Sequence, residues 1–142
     1  MQSPCRYLLE SETADLLKRQ GFHVHILPKI QGKNSFPLCV VAFGENGGIR
    51  TILIKKALSK PRGQSDVEAR YAHEIQIFLK RLTRVPADPD QHYELWIYAE
   101  KTGFFCCEVL PDTLREIPAP VWERDGVLSL APGCPLITRS AP

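Results

Sequence analysis

The chain has 142 residues, 44% of them hydrophobic and 24% charged, with a formal net charge of +2. These values exclude a disordered chain and fit one globular domain that buries a core without disulfide or metal staples. No apolar run approaches the ~20 residues of a membrane-spanning helix, and "MQSPCRYLLESE" has no basic stretch leading into an apolar one, so a cytoplasmic protein without a membrane segment is expected.

Ser3 and Pro4 form a helix-start pair, and the helix is expected to run to about Gln20 and stop at Gly21. Tyr7, Leu9, Thr13, Ala14, Leu16 and Leu17 share its apolar face, while Glu12 points to solvent. Glu10 sits inside the apolar stripe with Arg6 one turn before it. A carboxylate there is costly without a partner, which makes Glu10 a candidate site residue.

The alternation in "FHVHILP" predicts a strand over 22–28, followed by a polar loop, "KIQGKNS". "PLCVVAFG" and "IRTILIKKAL" predict two further strands, joined by a hairpin at Asn46-Gly47. "SKPRGQS" breaks the pattern, and a helix is expected over 65–82 with Val67, Tyr71, Ile75, Phe78 and Leu82 toward the core. After the loop "VPADPDQ", "HYELWIYAE" and "FFCCEVL" read as a second hairpin, and "PDTLREI" as a single helical turn. From Pro118 prolines recur at 120, 132, 135 and 142. The expected organisation is a domain over 1–117 and an extended Pro-rich C-terminal extension, 118–142, wrapping it, with "VLSL" as a short strand. No internal repeat is present.

The five cysteines, Cys5, Cys39, Cys106, Cys107 and Cys134, form no CxxC pair and fit reduced core thiols better than a zinc knuckle. His23 and His25 share a strand face and lack a third ligand, and His73 reads as a surface residue. No phosphate loop or nucleophile elbow is present. Charge is unevenly spread. Between Lys29 and Arg62 seven basic residues face one acid, Glu45, so this segment carries +6 and the rest of the chain −4. That imbalance suits either a polyanion-facing side or a solvated surface.

The order helix, strand, hairpin, helix, hairpin, together with "ESETADLLKRQGFHV", resembles the PD-(D/E)XK, restriction endonuclease-like nuclease superfamily. Within it the nearest are the archaeal Holliday-junction resolvase-like small endonucleases. The resemblance spans about residues 4 to 110. It implies an α/β fold with an α-β-β-β-α-β core, a mixed central sheet flanked by helices, and symmetric homodimers. Pro37-Leu38 stands where the family has Pro-Asp, and Leu53-Ile54-Lys55 where it has Glu-x-Lys. The family chemistry uses two carboxylates to hold Mg²⁺ and a lysine near the attacking water. Leu38 and Leu53 supply no oxygen ligand, which leaves Lys55 and Glu10 as the residual constellation and no metal or other cofactor in the expected site.

The expected function is therefore a catalytically degenerate nuclease fold that binds nucleic acid, or serves as a scaffold, without cleavage. Lys33, Arg50, Lys56, Lys60 and Arg62 would contact the phosphates of duplex or branched DNA. Aromatic residues are not interleaved with these charges, which disfavours single-strand stacking. One alternative is an active Mg²⁺-dependent endonuclease with acids relocated to Glu45, Glu68 or Glu74. A second is a protein-interaction module built on the apolar former site.

Overall fold

The computed structural model describes residues 8–32, 36–45, 47–84, 90–123 and 127–130. Its α/β architecture is a six-stranded mixed sheet with one helix on one face and two on the other. Helix α1 spans Leu8–Arg19, and the expected Ser3-Pro4 start lies outside the described residues. It ends where expected. Gly21 takes φ 99°, its amide donates to the Lys18 carbonyl at 3.0 Å, and the Phe22 amide donates to the Leu17 carbonyl at 3.0 Å. This pair of bonds around a left-handed glycine is a Schellman stop.

Strands β1 (His23–Leu27), β2 (Cys39–Phe43) and β3 (Ile49–Ala57) form an antiparallel meander. The β2–β3 turn is closed by the Gly44 amide on the Gly48 carbonyl at 2.8 Å, with Gly47 at φ 93°. Asn46 lies outside the described residues. Strand β4 (Gln91–Ala99) then lies parallel to β3, which requires a long crossover. Helices α2 (Gln64–Arg70) and α3 (Ala72–Arg84) supply it.

Two expectations are corrected here. The helix expected over 65–82 is divided at Tyr71, which leaves helical angles (φ −121°, ψ 33°) while its amide still donates to the Val67 carbonyl at 2.9 Å. Val67, Tyr71 and Ile75 are spaced in steps of four, which drift by about 40° per step around a regular helix. All three are buried on the sheet, on either side of the break at Tyr71. The second correction concerns "PDTLREI". Leu114–Ile117 is strand β6, antiparallel to β5 (Gly103–Val109), rather than a helical turn. The β5 edge offers backbone partners along its length, and Leu114 is buried beneath it.

The core has two layers separated by the sheet. Strand alternation sends Cys39, Val41, Leu53, Leu95 and Ile97 toward α2 and α3, where they meet Val67, Tyr71, Ile75 and Phe78. It sends Val40, Ala42, Ile52, Ile54 and Trp96 toward α1, where they meet Leu9, Leu16 and Leu17. Of the expected C-terminal extension, Pro120–Trp122 (β7) and Leu128–Leu130 (β8) form a separate two-stranded sheet. Leu128 is fully buried in the α1-side layer, and the Arg19 guanidinium donates to its carbonyl. Residues 131–142 lie outside the described residues. Among the described residues no helix is long and apolar enough to cross a membrane.

Phe78 is fully buried and its ring packs against those of Phe36 and Tyr93. Phe78→Ala is expected to lower unfolding free energy by about 3–5 kcal/mol in urea denaturation, whereas Ile30→Ala, at an exposed position, stays within about 0.5 kcal/mol of the parent.

Candidate functional site

The C-terminal end of β3 carries the residues on which the sequence reading turned. Consecutive strand residues face opposite ways, so Leu53 and Lys55 lie on the α3 side and Ile54 and Lys56 on the α1 side. Lys55 Nζ is 3.3 Å from Glu74 Oε2 on α3. Glu10 belongs to α1, on the opposite face of the sheet. The expected Glu10–Lys55 pair is thus replaced by two separate arrangements. One is the Lys55–Glu74 ion pair. The other places Glu10 in the field of Lys56. Burial raises the Glu10 carboxyl above its ordinary range, partly offset by a backbone hydrogen bond and by the Lys56 charge.

Leu38 precedes Cys39 by one residue, so continuing the alternation of β2 puts it on the α1 side with Val40. The positions that would face Glu10 from β2 and β3 are therefore Leu38 and Ile54, one residue on from Leu53. Both are apolar. Of the acids considered as relocated ligands, Glu74 is engaged by Lys55 and Glu68 is exposed on α2. Glu45 lies in the β2–β3 turn, roughly 20–25 Å along β3 from Lys56.

The basic strip separates into different environments. Lys56, Lys60 and Arg62 are exposed, and their side chains make no ion pair among the described residues. Lys33 lies outside the described residues. Arg50 does not belong to the strip. Its side chain is only 12% exposed, and its Nε and Nη2 donate to Glu94 Oε2 and Oε1 at 2.7 and 2.8 Å. A buried guanidinium held in this fork is unavailable to a phosphate. Arg70, at the end of α2, is likewise committed to Asp66 and to the Ser59 carbonyl.

Arg50 opens a polar network that the sequence reading missed. Glu94 on β4 and Glu108 on β5 stand directly opposite each other, at 4% and 6% exposure. Glu94 also accepts the indole N–H of Trp96 at 3.0 Å, and the Arg50 guanidinium lies 5.6 Å from the Phe22 ring centre. Glu108 has His92 Nδ1 at 2.7 Å and accepts from Arg115 across the β5–β6 ladder. All these groups lie on the α1 side at the β3 start, about 20 Å along the strand from Lys56. The available signal was three ionisable residues, His92, Glu94 and Glu108, at one parity of two otherwise apolar strands.

The network accounts for two carboxylates that would otherwise be very costly to bury. Every charged member has a partner of opposite sign, which gives it a structural role without a free ligand valence. The thiols are inert for a related reason. Burial pushes Cys39 and Cys107 up to about 12 and Cys106 well above its ordinary value, so none supplies a thiolate. His23, His25 and His73 are exposed, with the His25 ring edge-on to Phe43. Among the described residues no three His, Cys, Asp or Glu side chains form a group able to hold a metal ion.

The His92–Glu108 pair makes stability depend on pH. The hydrogen bond from Glu108 raises His92 above 6.5, against the effect of burial. Burial pushes Glu108 up, but His92 and then Arg115 outweigh it and hold the carboxyl below 4.5. The His92 contribution is complete below its unfolded value and is lost as pH rises through its raised folded value. The Glu108 contribution is complete above its unfolded value and is lost as pH falls through its lowered one. Both are in full force between pH 4.5 and 6.5. His92→Gln is expected to cost about 1 kcal/mol or less in that window, since the ring is partly exposed. Above it the parent and variant converge. Urea unfolding of both proteins over a pH series checks this, and the difference between them cancels the separate titration of Glu10.

No protein-family model matches this sequence, and no curated protein matches it.

Proposed function

We propose that the chain is a restriction endonuclease-like domain that binds duplex or branched nucleic acid through its phosphates and does not cleave it. The order of elements and the antiparallel β1–β2–β3 meander continued by a parallel β4 support that reading of the fold. One observation carries the functional part. Lys56, Lys60 and Arg62 follow one another out of β3, exposed and without ion partners among the described residues, beside a sheet end with leucine and isoleucine at the ligand places.

Three exposed cations without an ion pair among the described residues can exchange counterions for phosphates, which gives affinity without base readout. Hydrolysis of a phosphodiester by this fold demands more. Mg²⁺ requires several oxygen ligands in near-octahedral geometry, and Glu10 alone beside Lys56 offers one carboxylate under competition from an ammonium. A cleaving enzyme with relocated acids would need to draw Glu74 away from Lys55 and through the sheet.

Anisotropy titrations of duplex and four-way-junction DNA test this reading. Binding is expected to weaken with salt, with a log–log slope of about −0.9 per phosphate contact. Replacing Lys56, Lys60 and Arg62 together by Ala should flatten that slope and leave the melting temperature unchanged. Arg50→Ala should instead destabilise the fold by about 3–5 kcal/mol, because Glu94 is left buried and unpaired. Salt-insensitive binding, no binding, or Mg²⁺-dependent cleavage by the parent protein would each overturn the proposal.

The register supplies a second test. Leu38→Asp with Ile54→Glu is expected to create Mg²⁺-dependent nicking, since both new carboxylates face Glu10. Leu38→Asp with Leu53→Glu should only destabilise, because Leu53 is buried in the α3-side core. Plasmid nicking by the Leu53 pair, and not by the Ile54 pair, would mean that the catalytic face lies under α3.

A further inference from the structure

Leu58, just beyond the end of β3, has a relative exposure of 105%, whereas no other large apolar side chain among the described residues exceeds 49%. A single exposed leucine is ordinary on a protein surface and by itself implies no ligand. Two further observations distinguish this one. Its loop is braced from α2. Arg70 donates to the Ser59 carbonyl at 2.7 Å and to the Ser59 hydroxyl at 3.1 Å. Asp66 Oδ2 accepts from Arg70 Nη2 and from the Arg62 amide at 3.0 Å each, and Pro61 is buried between these anchor points. Presenting Leu58 to a ligand therefore requires little further ordering of the chain. The other observation is charge. The exposed Lys56 and Lys60 each lie two residues from Leu58, and the exposed Arg62 lies four away, which limits their backbones to roughly 7–14 Å from it. Phosphates along one strand of a duplex recur every ~3.4 Å of helix axis, so cations at that range reach those flanking a single base step.

We propose that Leu58 is an apolar wedge that enters an unstacked base step while Lys56, Lys60 and Arg62 hold the phosphates around it, so that the domain prefers a bulged duplex to a continuous one. The inference rests on the nucleic-acid reading above and adds a residue that discriminates among duplexes. Phosphate contacts fix position and carry no such discrimination. An apolar side chain between two bases removes its own surface from water, but in a continuous duplex it must first break their stacking. A bulge has already lost part of that stacking, so insertion costs less there. A leucine is long enough to serve as a wedge and has no polar atom to desolvate. The same features fit a lipid surface less well. One leucine buries far fewer carbons than a myristoyl chain, which alone gives only marginal membrane binding.

Anisotropy titrations of the full chain test the proposal, with a continuous duplex and a bulged duplex of equal length at one salt concentration. The parent is expected to bind the bulged duplex about tenfold more tightly. Leu58→Ala should abolish that preference while keeping the parent dissociation constant and salt slope on the continuous duplex. Leu58→Met, which retains a long apolar side chain, should restore the preference. Melting temperatures should match in all three proteins, since Leu58 is fully exposed. With 2-aminopurine beside the bulge, the parent and Leu58→Met should raise the fluorescence by unstacking the base, and Leu58→Ala should not. Salt-sensitive binding of both duplexes that is unchanged in Leu58→Ala would overturn the wedge and leave phosphate binding standing. Absent or salt-insensitive binding by the parent would overturn both. Sedimentation of the parent, and not of Leu58→Ala, with phosphatidylserine–phosphatidylcholine vesicles, without any preference for the bulge, would replace the wedge by a membrane contact.

Discussion

Strand β3 is the element that the rest of the molecule is arranged around. It is bonded to β2 on one side and β4 on the other, and Ile52, Leu53 and Ile54 are buried in succession. A strand covered on both faces has no solvent side, so each step along it alternates between two packed layers. Because α1 occupies one layer and α2 and α3 the other, a shift of one residue in β3 exchanges the two environments. Lys55 and Lys56 are neighbours in the chain and belong to different parts of the protein. One is tied to Glu74, and the other remains in solvent near Glu10.

The two ends of that strand handle charge in opposite ways. At its start, Arg50, Glu94, Glu108, His92 and Arg115 form a network in which desolvation is offset by short, geometrically matched hydrogen bonds. Such a network holds its members in place and leaves none available to a ligand. At and beyond its end, Lys56, Lys60 and Arg62 are exposed and make no ion pair among the described residues, with only the fields of Glu10 at Lys56 and of Asp66 at Arg62. An unpaired exposed cation costs the fold little and can be neutralised by a polyanion. The same sign of charge thus serves stability at one end and accessibility at the other, and the difference lies in burial.

Edges complete this arrangement. Closing a sheet over two helical layers leaves two outer strands, and their side chains decide whether each can accept a further strand. The exposed Arg115 and Glu116 keep water on β6, while the Arg115 head also reaches Glu108 inside. Strand β1 has only imidazoles and aliphatic groups. Pro28 follows it directly, as Pro118 follows β6.

Local patterns in the sequence determined the helix α1 with its stop at Gly21, the hairpin at Asn46-Gly47, and the strands at 22–28, 37–44, 49–58, 92–100 and 104–110. Capping, turn chemistry and period-two alternation act within a few residues and can be read there. The apolar faces of Val67, Tyr71, Ile75 and Phe78 were legible for the same reason. What the tertiary structure alone decided was which layer each parity of a strand faces. Nothing near Leu53 and Ile54 distinguishes them, since both are aliphatic and both are buried. Their roles diverge because α1 and α3 lie on opposite sides of the sheet. The assignment of Arg50 also required the fold, because its partner Glu94 is 44 residues away and becomes adjacent only through the parallel β3–β4 pairing. The β6 segment was misread locally because a strand at a sheet edge is stabilised by its neighbour rather than by its own short sequence.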